Sequence, residues 1–320
     1  MKNRDDLSVL IVGFLRGENI QKLIELARIN SIQSIYLSID GPRNQIDQNL
    51  QETFLKETEK YSGASGVDLK IWRRKNNSGS AVSVIKSIDW IASEKQKFMI
   101  LEDDLVPNND FFDFSRFCSE SYMNQDEVLM WSGNRFFSEE NPLNHPLPVH
   151  FPLIWGWGTW SDKWVELREG ILSQRHSFSF RRSLSVQSFL AAGRIRAQDG
   201  KIDVWDLPLA SYMFNQNRLC LLPPVNLVSN IGSDAMATHT LDNAWPLFLE
   251  TKHLSVSALE NPQDVTRESR KEENLIQSRI YKVRKRHIFS RILVTLLDFI
   301  RGKESKFNES LEARLNLESI

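Results

Sequence analysis

Apolar residues along this chain fall into two alternating rhythms. Short, mainly apolar runs at 8–14, 34–39, 67–72, 98–101 and 128–131 have the length of strands. Between them apolar residues recur at helical spacing: Ile20, Leu23, Ile24 and Ala27 within 18–29, then Ile46, Leu50 and Phe54 within 44–60, then Ala81, Ile85, Ile88 and Ala92 within 80–92. A strand that is apolar throughout needs cover on both faces, and the intervening helices supply it. The pattern therefore predicts an α/β fold with a mixed, mostly parallel sheet flanked by helices.

After about residue 135 the rhythm gives way to a Pro- and aromatic-rich stretch at 136–164, a basic segment at 181–196 and a further segment at 205–240. We expect residues 1–135 and 136–260 to be two halves of one domain, followed by a charged helical extension at 261–320. Within 277–303 of that extension Lys282, Arg284, Lys285 and Arg286 precede Ile288, Phe289, Ile292, Leu293, Leu296, Leu297 and Ile300 at helical spacing. Such a basic amphipathic face suits peripheral contact with an anionic membrane, and equally suits docking on protein.

Composition removes some classes of function. With 40 basic and 41 acidic side chains in 320 residues, no chain-wide field favours nucleic acid. Cys118 and Cys220 are the only cysteines, which gives neither a disulfide framework nor zinc spacing and fits a reducing compartment. The polar start at Met1 to Leu7 has no signal-peptide core, and no stretch of about 20 apolar residues occurs. The expected location is the cytoplasm, with the inner face of the cell membrane as the surface that 277–303 would meet.

In an open parallel sheet ligands collect beyond the carboxyl ends of the strands. The residues there are Arg16, Asp40, 73–79, Glu102 to Asp104 and Asn134. Glu102, Asp103 and Asp104 are costly to gather, because adjacent carboxylates raise one another's pKa unless a cation lies among them. Mg2+ or Mn2+ would relieve that repulsion while leaving coordination positions for phosphate oxygens and water. The competing explanation is that one Asp caps a helix over 107–117 and the others are solvated. No Gly-Lys-Ser or Gly-Lys-Thr phosphate loop is present, and Val12-Gly13-Phe14-Leu15-Arg16-Gly17 is neither a dinucleotide fingerprint nor the Gly-rich, Arg-containing loop of a nucleotidylyltransferase. A phosphoaspartate enzyme would usually place its acidic pair at the first strand. Trp155, Trp157, Trp160 and Trp164 lie within ten residues of one another and offer a stacking platform for a sugar, or ordinary core.

The string Ile100-Leu101-Glu102-Asp103-Asp104-Leu105-Val106-Pro107, followed by Asp110-Phe111-Phe112, resembles the acidic motif of N-acetylglucosaminyltransferase I and its bacterial GT-A relatives. Trp205-Asp206, the run 224–232 ending in Asn230-Ile231-Gly232, and Ala237-Thr238-His239-Thr240 are similar to the same group. Together these motifs span roughly residues 8–240. The resemblance implies a GT-A type Rossmann-like fold and an inverting, metal-dependent transfer of a sugar from a nucleotide-diphosphate donor, most simply a UDP-sugar, to a glycan or lipid-linked glycan. It further implies Asp104 as the direct ligand of Mn2+ or Mg2+, with His239 as a second ligand or a diphosphate contact. Glu102 and Asp103 would hold ribose or metal-bound water, Asp40 the base, and Arg16 the nucleoside or diphosphate. Arg73 and Asn76 belong to a segment that resembles the family's Asn-Leu-Gly loop, here carrying Asn77-Ser78 where one Leu is usual.

For inversion, a base must take the acceptor hydroxyl proton on the face opposite the departing diphosphate. Asp206, matching the family's Trp-Asp, is the expected base, with Asp199 and Asp203 as substitutes and Trp205 joining Trp155, Trp157 and Trp160 beside the sugar. Asp206 also reads as an ordinary acid at a helix start, with Pro208 just inside. A protein that binds nucleotide sugars or glycans without catalysis is the alternative function.

Overall fold

The computed structural model describes residues 6–61, 67–137, 143–172, 183–198, 202–232, 249–260, 267–280 and 315. Four parallel strands follow the first rhythm of the sequence: β1 (Ser8–Gly13), β2 (Ser34–Ile39), β3 (Asp68–Arg73) and β4 (Lys97–Glu102), lying side by side in the order β3-β2-β1-β4. Three helices alternate with them: α1 (Gly17–Ile29), α2 (Gln45–Thr58) and α3 (Ser80–Glu94). The strand period of two sends Val9 and Ile11 into one core with Leu23 and Ile24 of α1 and Phe54 of α2, while Leu10 and Val12 enter the other with Ile85 and Ile88 of α3. Each such side chain contributes about 1.5–3 kcal/mol on burial, which explains why β1 and β2 are buried at every position.

Local signals set the helix starts. Asn44 caps α2 by accepting the Asp47 N–H at 2.9 Å. Gly79 precedes α3 at φ 81°, a left-handed conformation that favours glycine.

The chain continues through β5 (Leu105–Pro107), α4 (Asn109–Ser121), β6 (Val128–Ser132), β7 (Leu147–Val149), β8 (Trp157–Trp160), α5 (Ser161–Leu172), α6 (Leu184–Gln198), α7 (Asp206–Asn215), β9 (Leu219–Leu222), β10 (Val228–Asn230) and α8 (Arg267–Leu275). β8 inserts antiparallel between β4 and β6. β9 joins β6 in parallel, and β7 closes that edge antiparallel to β9. The result is a mixed eight-stranded sheet, with a separate antiparallel ribbon of β5 and β10 beside it. The sheet crosses the expected division at 135, since strands from both sides of it are neighbours.

The expectation of an indole platform is corrected at three positions. Trp157 and Trp160 are fully buried and Trp205 is only 4% exposed. They lie on or against a central strand covered on both faces, so Trp157 enters the core under α3 and Trp160 the core under α1. Trp205 stacks on Trp157 with ring centroids 5.6 Å apart, and Trp160 meets Trp131 edge to face at 4.9 Å. Trp155 precedes β8, is half-buried and packs edge-on against Phe136.

In the described part of the extension, α8 turns two of its acids, Glu272 and Glu273, inward. Glu272 pairs with Arg135 at 3.1 Å, both buried, and Glu273 accepts from the His150 backbone N–H at 2.7 Å and meets its Nδ1 at 2.6 Å. The basic amphipathic stretch expected within 277–303 lies outside the described residues from 281 onward. No helix of the described residues is long and apolar enough to cross a membrane.

Candidate active site

The acids at the end of β4 leave the strand in three directions. Asp103 turns toward the loop after β1: its Oδ2 accepts the Phe14 N–H at 2.7 Å and the Arg16 N–H at 3.4 Å, and the Arg16 Nε lies 4.0 Å from its Oδ1. Asn19 of α1 fastens the same turn by donating to the Asp103 and Leu105 carbonyls at 2.9 and 3.0 Å. Asp103, expected to hold ribose or metal-bound water, is thus engaged in positioning the β1–α1 loop.

Asp104 faces the ribbon instead. The Ile231 N–H donates to its backbone carbonyl at 2.8 Å, and its carboxylate is hydrogen-bonded by Asn230. Asn230 Oδ1 accepts the Gly232 N–H at 2.6 Å. A Cβ on residue 232 would stand 2.3 Å from Asp104 Oδ2, so only glycine permits this approach. The Asn-Ile-Gly segment is therefore the seat of the Asp104 carboxylate, a role that its position in the sequence alone did not reveal.

Glu102 is pushed up to about 8, first by burial and then by Asp104, Asp103 and Asp206. Asp104 rises to about 6 through burial and Asp103, opposed by the Arg16 guanidinium. Asp103 is raised by burial, against which the N–H groups of Phe14 and Arg16 and the Arg16 charge act. The Asp206 contribution is the informative one. It puts the first residue of α7, which follows the Trp205 ring stacked on Trp157 of β8, within electrostatic reach of Glu102.

The capping explanation for these acids is excluded by α4. Its cap is Asn108, which accepts the Phe111 N–H at 3.2 Å and leaves the acids before it unused for that purpose. Among the described residues no group of three His, Cys, Asp or Glu side chains is arranged to hold a metal ion. The donor set is nonetheless suited to a hard cation held by one carboxylate, Asp104, with phosphate and water oxygens completing its shell. His239 lies outside the described residues, as does Asp199.

Three further expectations are redistributed. Asp40 is buried, and its carboxylate accepts from Gly41 N–H (2.9 Å), Ser78 N–H (3.1 Å), Ser78 Oγ–H (2.7 Å), Asn77 Nδ2–H (3.0 Å) and Gly79 N–H (3.2 Å). With its oxygens so occupied it organises the loop before α3 and does not face a base. Arg73 turns from the site toward Glu52 of α2, at 4.0 Å. Asn76 presses its backbone on Gly41, where a Cβ would meet the Asn76 carbonyl carbon at 2.1 Å. Asp203, considered as a substitute base, accepts the Ser80 N–H at the start of α3 at 2.7 Å. Asn134 is buried and fixes the Trp155 turn by accepting its N–H at 3.3 Å. Asn77, Ser78, Asn230 and Gly232 stood in the sequence only as parts of segments that resemble the family, with no role assigned to them.

No family model matches the chain, and no curated protein matches it. Among solved structures it is similar to HddC from Yersinia pseudotuberculosis, at 13% identity and a TM-score of 0.33 over 54% of this chain and 82% of that one. The same protein complexed with GMP-PN matches at 10% identity and a TM-score of 0.31, over 48% of this chain and 77% of that one. 4-diphosphocytidyl-2C-methyl-D-erythritolsynthase from Anaerococcus prevotii DSM 20548 matches at 10% identity and a TM-score of 0.34, over 55% and 81%. Likeness at this level leaves the chemistry to the site's own residues.

Proposed function

We propose that the protein is an inverting glycosyltransferase that moves a sugar from a nucleotide-diphosphate donor, a UDP-sugar in the simplest case, to a hydroxyl of a glycan or lipid-linked glycan. The observation that supports this reading is the electrostatic influence of Asp206, at the start of α7, on Glu102 at the end of β4. A transferase of this kind needs one carboxylate for the cation at the diphosphate and a separate one for the acceptor hydroxyl. Asp104, seated by Asn230 and Gly232, would hold Mn2+ or Mg2+, which supplies Lewis-acid stabilisation of the leaving diphosphate when bound. Arg16 places a positive charge beside Asp104 and adds to that field. Asp206 takes the acceptor proton as the general base. We place the reaction in the cytoplasm, at a membrane surface met by the 277–303 stretch when the acceptor is lipid-linked.

The test is a panel of nucleotide sugars with Mn2+ and mixed glycan acceptors, read by release of the nucleoside diphosphate and by the anomeric configuration of the product. Asp104→Ala should abolish turnover and its Mn2+ dependence. Asp206→Asn should bind donor normally by calorimetry and transfer at least about 100-fold more slowly, the scale of a lost general base. A fully active Asp104→Ala removes the metal assignment. Donor binding with no turnover for any pair makes the protein a binder, and synthesis of a nucleotide sugar from a sugar phosphate and a nucleoside triphosphate makes it a nucleotidylyltransferase.

A further inference from the structure

Arg194 of α6 is 3% exposed, yet among the described residues its Nε and Nη2 have no hydrogen-bond acceptor. Other buried arginines here have acceptors at both Nη nitrogens or at a carboxylate: Arg74 donates through Nη1 and Nη2 to the hydroxyls of Ser38, Ser83 and Ser87, and Arg135 to Glu272 and the Pro224 carbonyl. Burial lowers the pKa of Arg194 to about 10, and among the described residues no carboxylate opposes it. A buried guanidinium left in this state works against folding, since its desolvation is repaid only by an acceptor.

The unmet nitrogens are not an arbitrary pair. Nε–H and Nη2–H point the same way along one edge of the planar guanidinium, and that edge matches two oxygens of a carboxylate or phosphate. The position is also suggestive. α6 packs on α7, and Gly193 lies against Leu207, where a Cβ would stand 3.0 Å from Leu207 Cδ1. Arg194 therefore belongs to the helix that buttresses the residue next to Asp206, on the side of the sheet away from α1 and α2.

We propose that Arg194 is an oxyanion-binding residue, whose Nε and Nη2 edge takes a phosphate or carboxylate group of a ligand. Both nitrogens are closed to solvent, so the contact the ligand makes is a dry one. Oxyanion binding at Arg194 does not depend on sugar transfer at Asp206, and the two fail separately in the measurements below.

The full chain is titrated with inorganic phosphate, pyrophosphate, UDP and glucuronate, following melting temperature and calorimetric heat for wild type, Arg194→Met and Arg194→Lys. At least one probe should raise the wild-type melting temperature in a saturable manner. Both variants should lose about tenfold or more in affinity for it, because an ammonium keeps the charge but not the two-pronged edge. Without ligand, Arg194→Met should melt no lower than wild type, since it removes an unmet buried charge. An Arg194-dependent response to UDP or pyrophosphate assigns the oxyanion to the donor, and one to glucuronate alone assigns it to an acidic acceptor. The proposal is overturned if no probe stabilises wild type, or if the variants respond as wild type does. Should Arg194→Met not fold, Arg194→Lys decides: a wild-type response there removes the bidentate contact.

Discussion

Replacing Gly232 by Ala tests whether the ribbon seats the Asp104 carboxylate, which we propose holds the cation. The added Cβ would lie 2.3 Å from Asp104 Oδ2, 2.8 Å from Asn230 Oδ1 and 3.2 Å from Asp104 Cγ. A carbon–oxygen contact settles at about 3.3 Å, so the Asp104 carboxylate must retreat by about 1 Å or the ribbon must open by as much. Asn230 is drawn in with it, because its side-chain oxygen holds the Gly232 N–H. A displacement of about 1 Å at a reacting centre is worth roughly 100-fold in rate. The stability cost should be small, about 1 kcal/mol, the low end for a methyl forced into a packed place, because a side-chain terminus and not the core must move. The assay is kcat/KM for sugar transfer across a Mn2+ titration, with the melting temperature measured alongside. The expected result is a rate loss near 100-fold and a weakened Mn2+ dependence in a protein that melts within a few degrees of wild type. Wild-type turnover in Gly232→Ala would show that Asp104 is not held as described, and a rate loss that merely follows unfolding would show that the glycine serves the fold.

Asp40→Asn sets an amide N–H against the donors of Gly41, Ser78 and Gly79; it should cost about 2–3 kcal/mol and raise hydrogen exchange at 76–79, and a loss under about 0.5 kcal/mol would contradict the loop-organising role. Arg135→Met leaves Glu272 buried without its partner and should cost about 3–5 kcal/mol, whereas adding Glu272→Leu should recover most of it; a double variant as unstable as the single one refutes the pairing. Burial pushes Cys220 up to about 12 from an ordinary 9.0, raises Cys118 well above the same value, carries Tyr212 to about 12 and raises Tyr36 and Tyr122 as well. Each folded-state pKa lies above its unfolded one, so the associated stability is complete below about pH 9 and is lost as pH climbs toward about 12. Urea melts from pH 8 upward should show that decline, and a flat profile would refute it. Thiol reagent at pH 8 should find no fast-reacting cysteine until the protein is denatured.

The first four strands and their helices could be read from the sequence because each is a local pattern: β1 and β2 are short, mainly apolar runs, and α2 announces itself through Asn44. The acids after β4 were legible for the same reason, as was Trp205-Asp206 at a helix start. Contacts that depend on distant partners were not. Nothing near Asp40 in sequence tells that the donors of 77–79 would fill its oxygens, and nothing near Glu272 and Glu273 foretells Arg135 and His150. Four indoles in ten residues look the same whether exposed or buried; what decided it was the antiparallel insertion of β8 into the middle of the sheet, which a periodicity cannot show. Arg73 and Arg74 are adjacent, and only the pleat determines that Arg74 enters the serine-lined interior while Arg73 reaches α2.

The insertion of β8 also bears on how the chain is made. β4 has β1 on one side and, on the other, a strand that begins at Trp157. As the polypeptide leaves the ribosome, the four parallel strands can assemble well before that partner exists, and the edge of β4 next to the acids stays open meanwhile. An open apolar edge of this kind invites pairing with another nascent chain. The acidic residues at its end work against parallel, in-register pairing, because two such edges side by side would crowd their carboxylates in the absence of a cation. Charges that we assign to chemistry in the finished protein would thus also guard the unfinished one until Trp157 to Trp160 close the gap.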